Sequence, residues 1–236
     1  MIKIKKNGFT LPEVLITLAI VGSLAALVLP GLIKDTQTRA MIALLQGTVV
    51  HLNDAVQTEF SRSGAKNIKD TLMWTNQKDF FAKSFVVAVN CDAKTNTPCL
   101  GSAYKNINAG SYSIGYKTPT LLKNGVSIDM VPGSDNNAND NILVIIDLNG
   151  GKDPNIVGVD VFHIWIMGKS DPDKGVRLGD VRGTLKDPDP DDPDGVEASS
   201  VTNSQLQTSC KSGDPSACYL LLERSGFDPK YLDNTY

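Results

Sequence analysis

The sequence has few of the residue patterns that enzymes and nucleic-acid-binding proteins need. It has only two histidines and four cysteines, and no cysteine pair has the C-x-x-C spacing of a zinc knuckle. Its 23 basic residues are outnumbered by 26 acidic ones, which gives a formal net charge of -3. A mildly acidic chain argues against binding that depends on neutralising phosphates. Catalysis is also disfavoured, because no serine or cysteine lies in a nucleophile motif, and His51 and His163 are expected to be structural.

Charged residues are missing from one long stretch near the N-terminus. From Val14 to Ile33 the sequence reads VLITLAIVGSLAALVLPGLI, without a single charge. About 20 predominantly apolar residues are enough to cross the hydrocarbon core of a bilayer as a helix. The rest of the chain has no comparable run, and 41% of its residues overall are hydrophobic, as in a soluble globular protein. We therefore expect one end in lipid or a buried filament core and the remainder in water.

The residues before this stretch form a short basic leader with lysines at positions 3, 5 and 6. Positive charge before an apolar run keeps that end in the cytoplasm. The leader is compatible with a secretory signal peptide, a plain membrane anchor or a prepilin leader. A signal peptide has an apolar region of roughly 7–15 residues, shorter than the one here. A plain anchor gives no reason for Glu13, since a carboxylate at mid-bilayer costs about 2.5–3.5 kcal/mol on insertion scales.

The junction between leader and apolar run carries a specific motif, Gly8-Phe9-Thr10-Leu11-Pro12-Glu13. It resembles the processing motif of the type IV filament superfamily, which comprises pilins, the pseudopilins of type II secretion and competence pseudopilins. That motif is a glycine, then phenylalanine, threonine, leucine, a variable residue and glutamate. Every fixed position is present in this sequence, and Pro12 occupies the variable one.

The resemblance implies a role for three of these residues. A prepilin peptidase would cut between Gly8 and Phe9, and Phe9 would become an N-methylated N-terminus. Glu13 would face the charged amine of Phe9 on a neighbouring subunit. A physical argument supports this role independently, because a buried carboxylate is costly unless it is paired. The alternative is that Glu13 simply extends to the lipid headgroups.

The resemblance also implies a function, partners and a location. The chain would be a structural subunit of a type IV pilus or a type II secretion pseudopilus, with a minor pilin or pseudopilin favoured because the head is large. Its partners would be copies of itself or other pilins and pseudopilins, the prepilin peptidase, the inner-membrane assembly platform and membrane lipid. It would cross the inner membrane once and then enter a periplasmic pseudopilus or a cell-surface pilus. The alternative is a membrane-anchored extracytoplasmic binding protein that is not assembled into filaments.

The apolar run continues into an amphipathic pattern that predicts a single long helix. Beyond Gly31 the apolar residues recur every three or four positions as far as Phe60, with charged residues between them. We therefore expect a leader at 1–8, a helix at 9–60 with residues 9–33 in the membrane or filament core, and a globular head at 61–236. Pro30 and Gly31 predict a kink, because proline removes a hydrogen bond inside a helix; the alternative implied by the resemblance is a segment that can extend in the assembled filament.

The remaining sequence predicts an α+β fold in which the amphipathic half of the long helix packs on an antiparallel β-sheet. One helix is expected between Ile68 and Phe85, and a hairpin turn at Asn124-Gly125. The predicted strands cover residues 111–117, 121–122, 126–130, 142–148 and 159–167. A further helical turn is expected at 219–222, and pilin heads of the resembling family have the same general architecture.

The four cysteines form two closely spaced pairs, which predicts the disulfides Cys91–Cys99 and Cys210–Cys218. Four cysteines allow three connectivities, of which local pairing is the simplest. An export-type N-terminus favours disulfides, which persist outside the cytoplasm. The alternative is that the thiols are free and buried.

One loop has the oxygen-rich composition of a calcium site. Asp147, Asn149, Asp153 and Asp160 alternate with glycines, and carboxylate and amide oxygens are the ligands that calcium prefers. No cofactor is required by the sequence, so calcium is only a candidate here, and the EF-hand spacing is missing. The competing interpretation is ordinary turn chemistry, in which Asp, Asn and Gly satisfy the backbone of a tight loop. A second acidic stretch, residues 186–195, predicts an exposed extended loop that could bind calcium weakly.

Overall fold

The computed structural model describes residues 10–92, 97–134, 140–168, 170, 177–183, 201–228 and 231. Gly8 and Phe9, and the acidic stretch at 186–195, lie outside these ranges. The chain divides into two compact units, Met1–Ala40 and Met41–Tyr236. Helix α1, Leu11–Ser63, belongs to both, and it is long and apolar enough to cross a membrane.

Helix α1 extends through Pro30 without a break in the helical assignment. Because proline has no backbone N–H, the carbonyl of Ala26 loses its usual donor there; the predicted kink itself stays a prediction. The helix ends at Ser63, three residues beyond the predicted end. Gly64 follows with φ +65° and donates its N–H to the carbonyl of Phe60 at 2.9 Å, a typical glycine stop.

The second unit contains four further helices and nine strands among the described residues. Helices α2 and α3 are Leu72–Thr75 and Gln77–Ser84, preceded by a 3-10 turn at Ile68–Asp70, and helices α4 and α5 are Asn203–Lys211 and Pro215–Arg224. The strands are β1 Val87–Asn90, β2 Tyr104–Lys105, β3 Ser111–Tyr112, β4 Thr120–Leu122, β5 Ser127–Ser134, β6 Asp140–Asp147, β7 Asn155–Ile156, β8 Val161–Ile166 and β9 Val181–Arg182.

Six strands form one antiparallel sheet in the order β1-β4-β5-β6-β8-β9. Its centre is the pair β5 and β6, which is in register from Ser127 opposite Asp147 to Ser134 opposite Asp140. The hairpin turn predicted at Asn124-Gly125 is present between β4 and β5, and Gly125 adopts the positive φ of +92° that such a turn requires. A smaller three-stranded sheet has the order β3-β2-β7.

The core of the second unit forms where the amphipathic part of α1 meets one face of the large sheet. Leu45, Leu52 and Val56 are fully buried, in the same cluster as Val144 and Ile164 of the central strands. These helix residues follow each other at spacings of seven and four, which places them on one stripe. The α+β arrangement predicted from the sequence, with a long helix packed on an antiparallel sheet, is therefore confirmed.

The structure differs from the sequence predictions at several elements. The helix predicted over Ile68–Phe85 is divided into a 3-10 turn, α2 and α3, because Asn67 and Asn76 each accept a backbone N–H and start a new helix. The strand predicted over 111–117 is only the two-residue β3. Strands β1, β2, β7 and β9 and helix α4 were not predicted, and the predicted turn at 219–222 is the interior of the longer α5.

Glu59 is one of the charged residues that lie between the apolar positions of α1 in the sequence, but it is only 3% exposed. One carboxylate oxygen accepts the backbone N–H of Leu72, the first residue of α2, at 2.9 Å, and the other pairs with Arg62. An unsatisfied N–H at a helix start is a costly group to bury, and a nearby carboxylate is favoured there. Glu59 therefore ties the end of α1 to the beginning of α2.

We predict that Leu52→Ala lowers the free energy of unfolding of the second unit by about 2–5 kcal/mol, because it leaves a cavity in the core. The matched control is Val50→Ala, two residues earlier on the same helix, where the side chain is 57% exposed and the expected change is within about 0.5 kcal/mol. Urea unfolding of the full chain in detergent, followed by tryptophan fluorescence, measures both. Equal midpoints for the two variants would contradict the packing described here.

Candidate functional site

The start of α1 is organised by Thr10 and Glu13. A carboxylate oxygen of Glu13 accepts the backbone N–H of Thr10 and its hydroxyl, both at 2.8 Å, and the N–H of Val14 bonds to the carbonyl of Thr10 at 3.2 Å. This is the return half of a capping box, in which an acidic residue at the third helical position satisfies the donor of the cap. Thr-x-x-Glu before an apolar run is its sequence signature, so Thr10 could have been recognised as the partner of Glu13.

Glu13 is the only charged residue between Thr10 and Ile33. The next charge along α1 is Lys34, 21 residues away, which is about 32 Å of helix. No described residue of the helix before Lys34 can therefore give Glu13 a cationic partner. Among the residues that the structure describes, the two donors of Thr10 are the groups that meet its charge.

The helix around Glu13 leaves its apolar surface uncovered. Its most apolar window has a mean hydropathy of 2.4 and is not buried at all within the structure. The exposed large hydrophobic residues of this stretch are Leu11, Val14, Leu15, Ile16, Leu18, Ile20, Val21, Leu24, Leu27, Val28, Leu29, Leu32 and Ile33. A helix that is apolar on all sides is stable only inside a membrane or a protein core.

The calcium candidates lie at one end of the large sheet, where they form a hydrogen-bonded loop. Asp147 is fully buried, and its oxygens accept the hydroxyl of Tyr104 at 2.8 Å and the N–H groups of Asn149 and Gly150 at 3.1 and 2.9 Å. Asp160 is 2% exposed and accepts the N–H of Ile156 and the side-chain amide of Asn149. Asn149 therefore links the two aspartates.

Asp153, the third predicted aspartate, is exposed and faces a different segment. It accepts the N–H of Ser102 at 3.1 Å, the hydroxyl of Ser102 at 2.5 Å and the side-chain amide of Asn155 at 3.1 Å. Hydrogen bonds from Ser102 hold the pKa of Asp153 below its usual value. Asp153 therefore fixes the loop onto the segment that follows Cys99.

These contacts favour turn chemistry over calcium ligation. All six carboxylate oxygens of Asp147, Asp153 and Asp160 accept hydrogen bonds from the chain itself. Within the described ranges, no group of three or more His, Cys, Asp or Glu side chains is arranged to hold a metal. Only the side-chain oxygens of Asn149 and Asn155 are buried without a partner in this loop. Calcium binding at this loop stays a prediction.

Burial changes the protonation of the two inner aspartates. It raises the pKa of Asp147 to about 7, although hydrogen bonds from Tyr104, Asn149 and Gly150 oppose the shift. Burial also raises the pKa of Asp160 to about 7, and the charge of Asp147 adds to the rise. Near neutral pH a substantial fraction of both carboxyl groups is therefore protonated in the folded chain, whereas aspartates with the usual pKa are ionised.

The cysteines and histidines have structural surroundings. The structure contains the disulfides Cys91–Cys99 and Cys210–Cys218 and no free cysteine. His51 bonds through Nε2 to the carbonyl of Ser84 at 2.7 Å. Burial lowers the pKa of His163 to about 4, so this histidine is neutral at pH 7. Neither histidine has a hydrogen bond to a serine or threonine hydroxyl among the described contacts, which gives no support to a nucleophilic mechanism.

Comparison with known protein families gives a match for the N-terminal segment. Residues 3–29 match the family described as the prokaryotic N-terminal methylation motif, which is the prepilin-type signal of type IV pilins and pseudopilins. The chain carries this signal, and the match supports a pilin-like or pseudopilin-like prepilin, a structural rather than catalytic class. The motif implies processing by prepilin peptidase and assembly with other pilins, and with the apolar helix it indicates a precursor anchored in the inner membrane. No characterised protein and no solved structure matches the chain.

We predict that Asp160→Asn changes how stability depends on pH. The carboxyl of Asp160 has a usual pKa of 3.8 and about 7 in the folded chain, so folding takes up a proton between these values. The protonated carboxyl of Asp160 therefore makes its full contribution to the free energy of unfolding below pH 4, and this contribution is lost as the pH rises to 7. Urea unfolding of both proteins from pH 4 to 7 should show the variant gaining stability relative to wild type as the pH rises.

The design isolates Asp160 from opposing effects. His163, whose pKa is lowered, destabilises the fold as the pH falls from about 6.5 to about 4, but it does so equally in both proteins. Asp153→Asn is the matched control, because Asp153 is exposed and already ionised across this range. A constant difference between wild type and Asp160→Asn would contradict the shifted pKa.

Calcium can be tested on the same proteins at pH 7. If the loop binds the ion, calcium added after a chelator raises the urea midpoint of wild type but not that of Asp160→Asn. If neither midpoint moves, the loop is held by its own hydrogen bonds and the calcium prediction is wrong.

Proposed function

We propose that this chain is a structural subunit of a type IV pilus or a type II secretion pseudopilus, with a minor pilin or pseudopilin favoured. Prepilin peptidase would cut between Gly8 and Phe9, and α1 would then carry the subunit from the inner membrane into the filament. The observation that supports this proposal most directly is the prepilin-type signal at residues 3–29, followed by a helix whose apolar surface is not covered by the described residues.

The proposed filament would supply the cationic partner that Glu13 lacks in the membrane. In lipid, the donors of Thr10 are the described partners of the carboxylate, and both are neutral. Hydrogen bonds lower the cost of burying a charge but do not balance it. Cleavage after Gly8 would create an ammonium group on Phe9, and a neighbouring subunit could present it to Glu13. Such a pair favours one axial position of the neighbour over others, since separating two buried charges is expensive.

The size of the head favours a minor subunit. Residues 61–236 lie beyond the predicted helix, and they include two disulfides and the large sheet. A major subunit is repeated along the whole filament and is usually smaller in the resembling family. The competing function is a membrane-anchored extracytoplasmic binding protein, which needs neither cleavage after Gly8 nor a partner for Glu13.

We predict that the mature protein begins with an N-methylated Phe9. Mass spectrometry of the membrane-extracted protein measures this directly. Gly8→Val should retain the leader, because the peptidase requires a residue without a side chain before the cut. Gly22→Ala is the matched control: a Cβ there meets no atom within 4 Å, so normal processing is expected. An intact Met1 in the wild-type protein would refute the prepilin proposal.

We predict that Glu13→Gln abolishes assembly while the head stays folded. Glutamine keeps an oxygen for the donors of Thr10 but removes the charge, so this variant separates the ion pair from the capping box. Loss of one partner from a buried pair costs about 3–5 kcal/mol, which corresponds to at least a hundredfold less assembled subunit. Quantifying subunit in sheared filaments measures the loss.

The companion variant is Thr10→Val, which removes the hydroxyl donor and keeps the backbone donor and the charge of Glu13. It should assemble close to the wild-type level. If Glu13→Gln assembles normally and Thr10→Val does not, the capping box, not a charge pair, is the property that the filament needs.

A further inference from the structure

An apolar groove lies beside helix α1 in the second unit. Its volume is about 680 Å³, and one wall is the helix face of Ala43, Leu44, Gly47 and His51. The opposite wall comes from the start of β1 and from the β4–β5 hairpin. All lining residues belong to the second unit, so the groove is a feature of the head alone.

The walls of the groove are fixed in place by direct contacts. His51 bonds to the carbonyl of Ser84 at 2.7 Å, and its ring packs edge-on against Phe85 with 4.6 Å between centroids. Lys123 donates its N–H to the carbonyl of Val86 at 2.9 Å, which joins the two segments that form the opposite wall. The groove is therefore already formed in the free subunit and does not need a partner to open it.

Two exposed apolar side chains of the head lie at or beside this groove. Among the described residues of the second unit, the exposed large hydrophobics are Val50, Val86 and Val89, at 57%, 68% and 38% exposure. Val86 lines the groove and Val50 lies one turn beyond Gly47 on the helix, whereas Val89 pairs with Leu121 on β4 and does not line the groove. Apolar residues that cluster in this way on a soluble surface mark an interaction site.

The chain itself contains a segment that matches this groove. Residues 14–33 are uncharged, helical and exposed on all sides, so they need an apolar cover outside lipid. Within them, Gly22 and Ala26 are four positions apart, and on the wall of the groove Ala43 and Gly47 have the same spacing. Small residues at this spacing let two helix backbones approach closely. A Cβ added at Gly47 or Gly22 would meet no atom of its own subunit, which leaves both surfaces open to a partner.

From these observations we infer that the groove binds the apolar helix of a second copy, with Gly22 and Ala26 of one subunit against Ala43 and Gly47 of the other. The inference rests on the proposed filament function and names a second contact within it. The groove contact displaces two copies by about 20 residues along the helix, whereas a pair between Glu13 and Phe9 displaces them by four. The two contacts therefore join a subunit to two different neighbours.

The pairing can be tested with introduced cysteines, because the four native cysteines are in disulfides. In the full chain carrying Ala26→Cys and Gly47→Cys, mild oxidation of filaments or membranes should give a ladder of covalent multimers. The single variants should not give it. The matched control combines Ala26→Cys with Gln46→Cys, which lies next to Gly47 on the helix but outside the groove. No ladder, or an equal ladder from the control, would overturn the inference, and an adduct with a different protein would overturn the assignment to a second copy.

A second variant tests the groove without new thiols. Gly47→Leu fills the groove and should reduce assembled subunit at least tenfold, while processing after Gly8 and the unfolding midpoint stay as in wild type. Gln46→Leu adds the same side chain outside the groove and should assemble normally. Normal assembly of Gly47→Leu would overturn the inference and leave the filament function intact. Failure of the filament function is recognised separately, because wild type itself would then form no assembly.

Discussion

A helix that is apolar on every side needs cover on every side, and the described residues leave the first half of α1 uncovered. The hydrophobic contribution is roughly 25 cal/mol for each Å² of apolar surface removed from water, so this uncovered surface sets the environment that the protein must occupy. Farther along the same helix the apolar residues narrow to one stripe, represented by Leu45, Leu52 and Val56, which the sheet covers completely. The first part of α1 is therefore apolar on all sides, and the second part is apolar on one stripe only. This change of pattern along the helix divides the chain into an apolar N-terminal part and a head.

The carboxylates of the head and the carboxylate of the first part of α1 also differ in the partners available to them. Glu59 and Asp129 are buried in the head, and both are satisfied there, Glu59 by Leu72 and Arg62 and Asp129 by the backbone N–H groups of Lys117, Thr118 and Met130. The head can supply these partners because its chain folds back on itself and brings distant donors together. A single helix cannot do so, and among the described residues Glu13 is met by the donors of Thr10 at the start of its own helix. A cationic partner for Glu13 has to be found outside the helix.

The sequence was informative where one physical signal dominates. The run without charge, the stripe that follows it and the Asn124-Gly125 turn predicted α1 and the central hairpin, because periodicity and turn chemistry act locally. Prediction from the sequence failed where contacts between distant residues determine the local structure. Glu59 looks like a surface residue in the pattern but caps another helix 13 positions later, and β1 forms by pairing with β4 more than 30 residues away. The calcium composition of the loop was equally ambiguous, since aspartate oxygens serve a metal and a backbone N–H alike; in the structure the oxygens of Asp147 and Asp160 accept hydrogen bonds from the chain, and calcium binding stays a prediction.

The groove of the head and the uncovered helix are best understood together. Each would be a liability alone, because exposed apolar surface promotes indiscriminate association. In the proposed filament, lipid would cover the helix until it leaves the membrane, and the groove would admit a helix at close range where Gly47 has no side chain. A filament in which every copy offers both surfaces covers them at the same time and gives each copy a defined neighbour. The ion pair at Glu13 would then select the axial position of one neighbour, and the shape of the groove would select that of another. Two independent contacts of this kind fix a helical arrangement more firmly than either could alone, since displacement along one breaks the other.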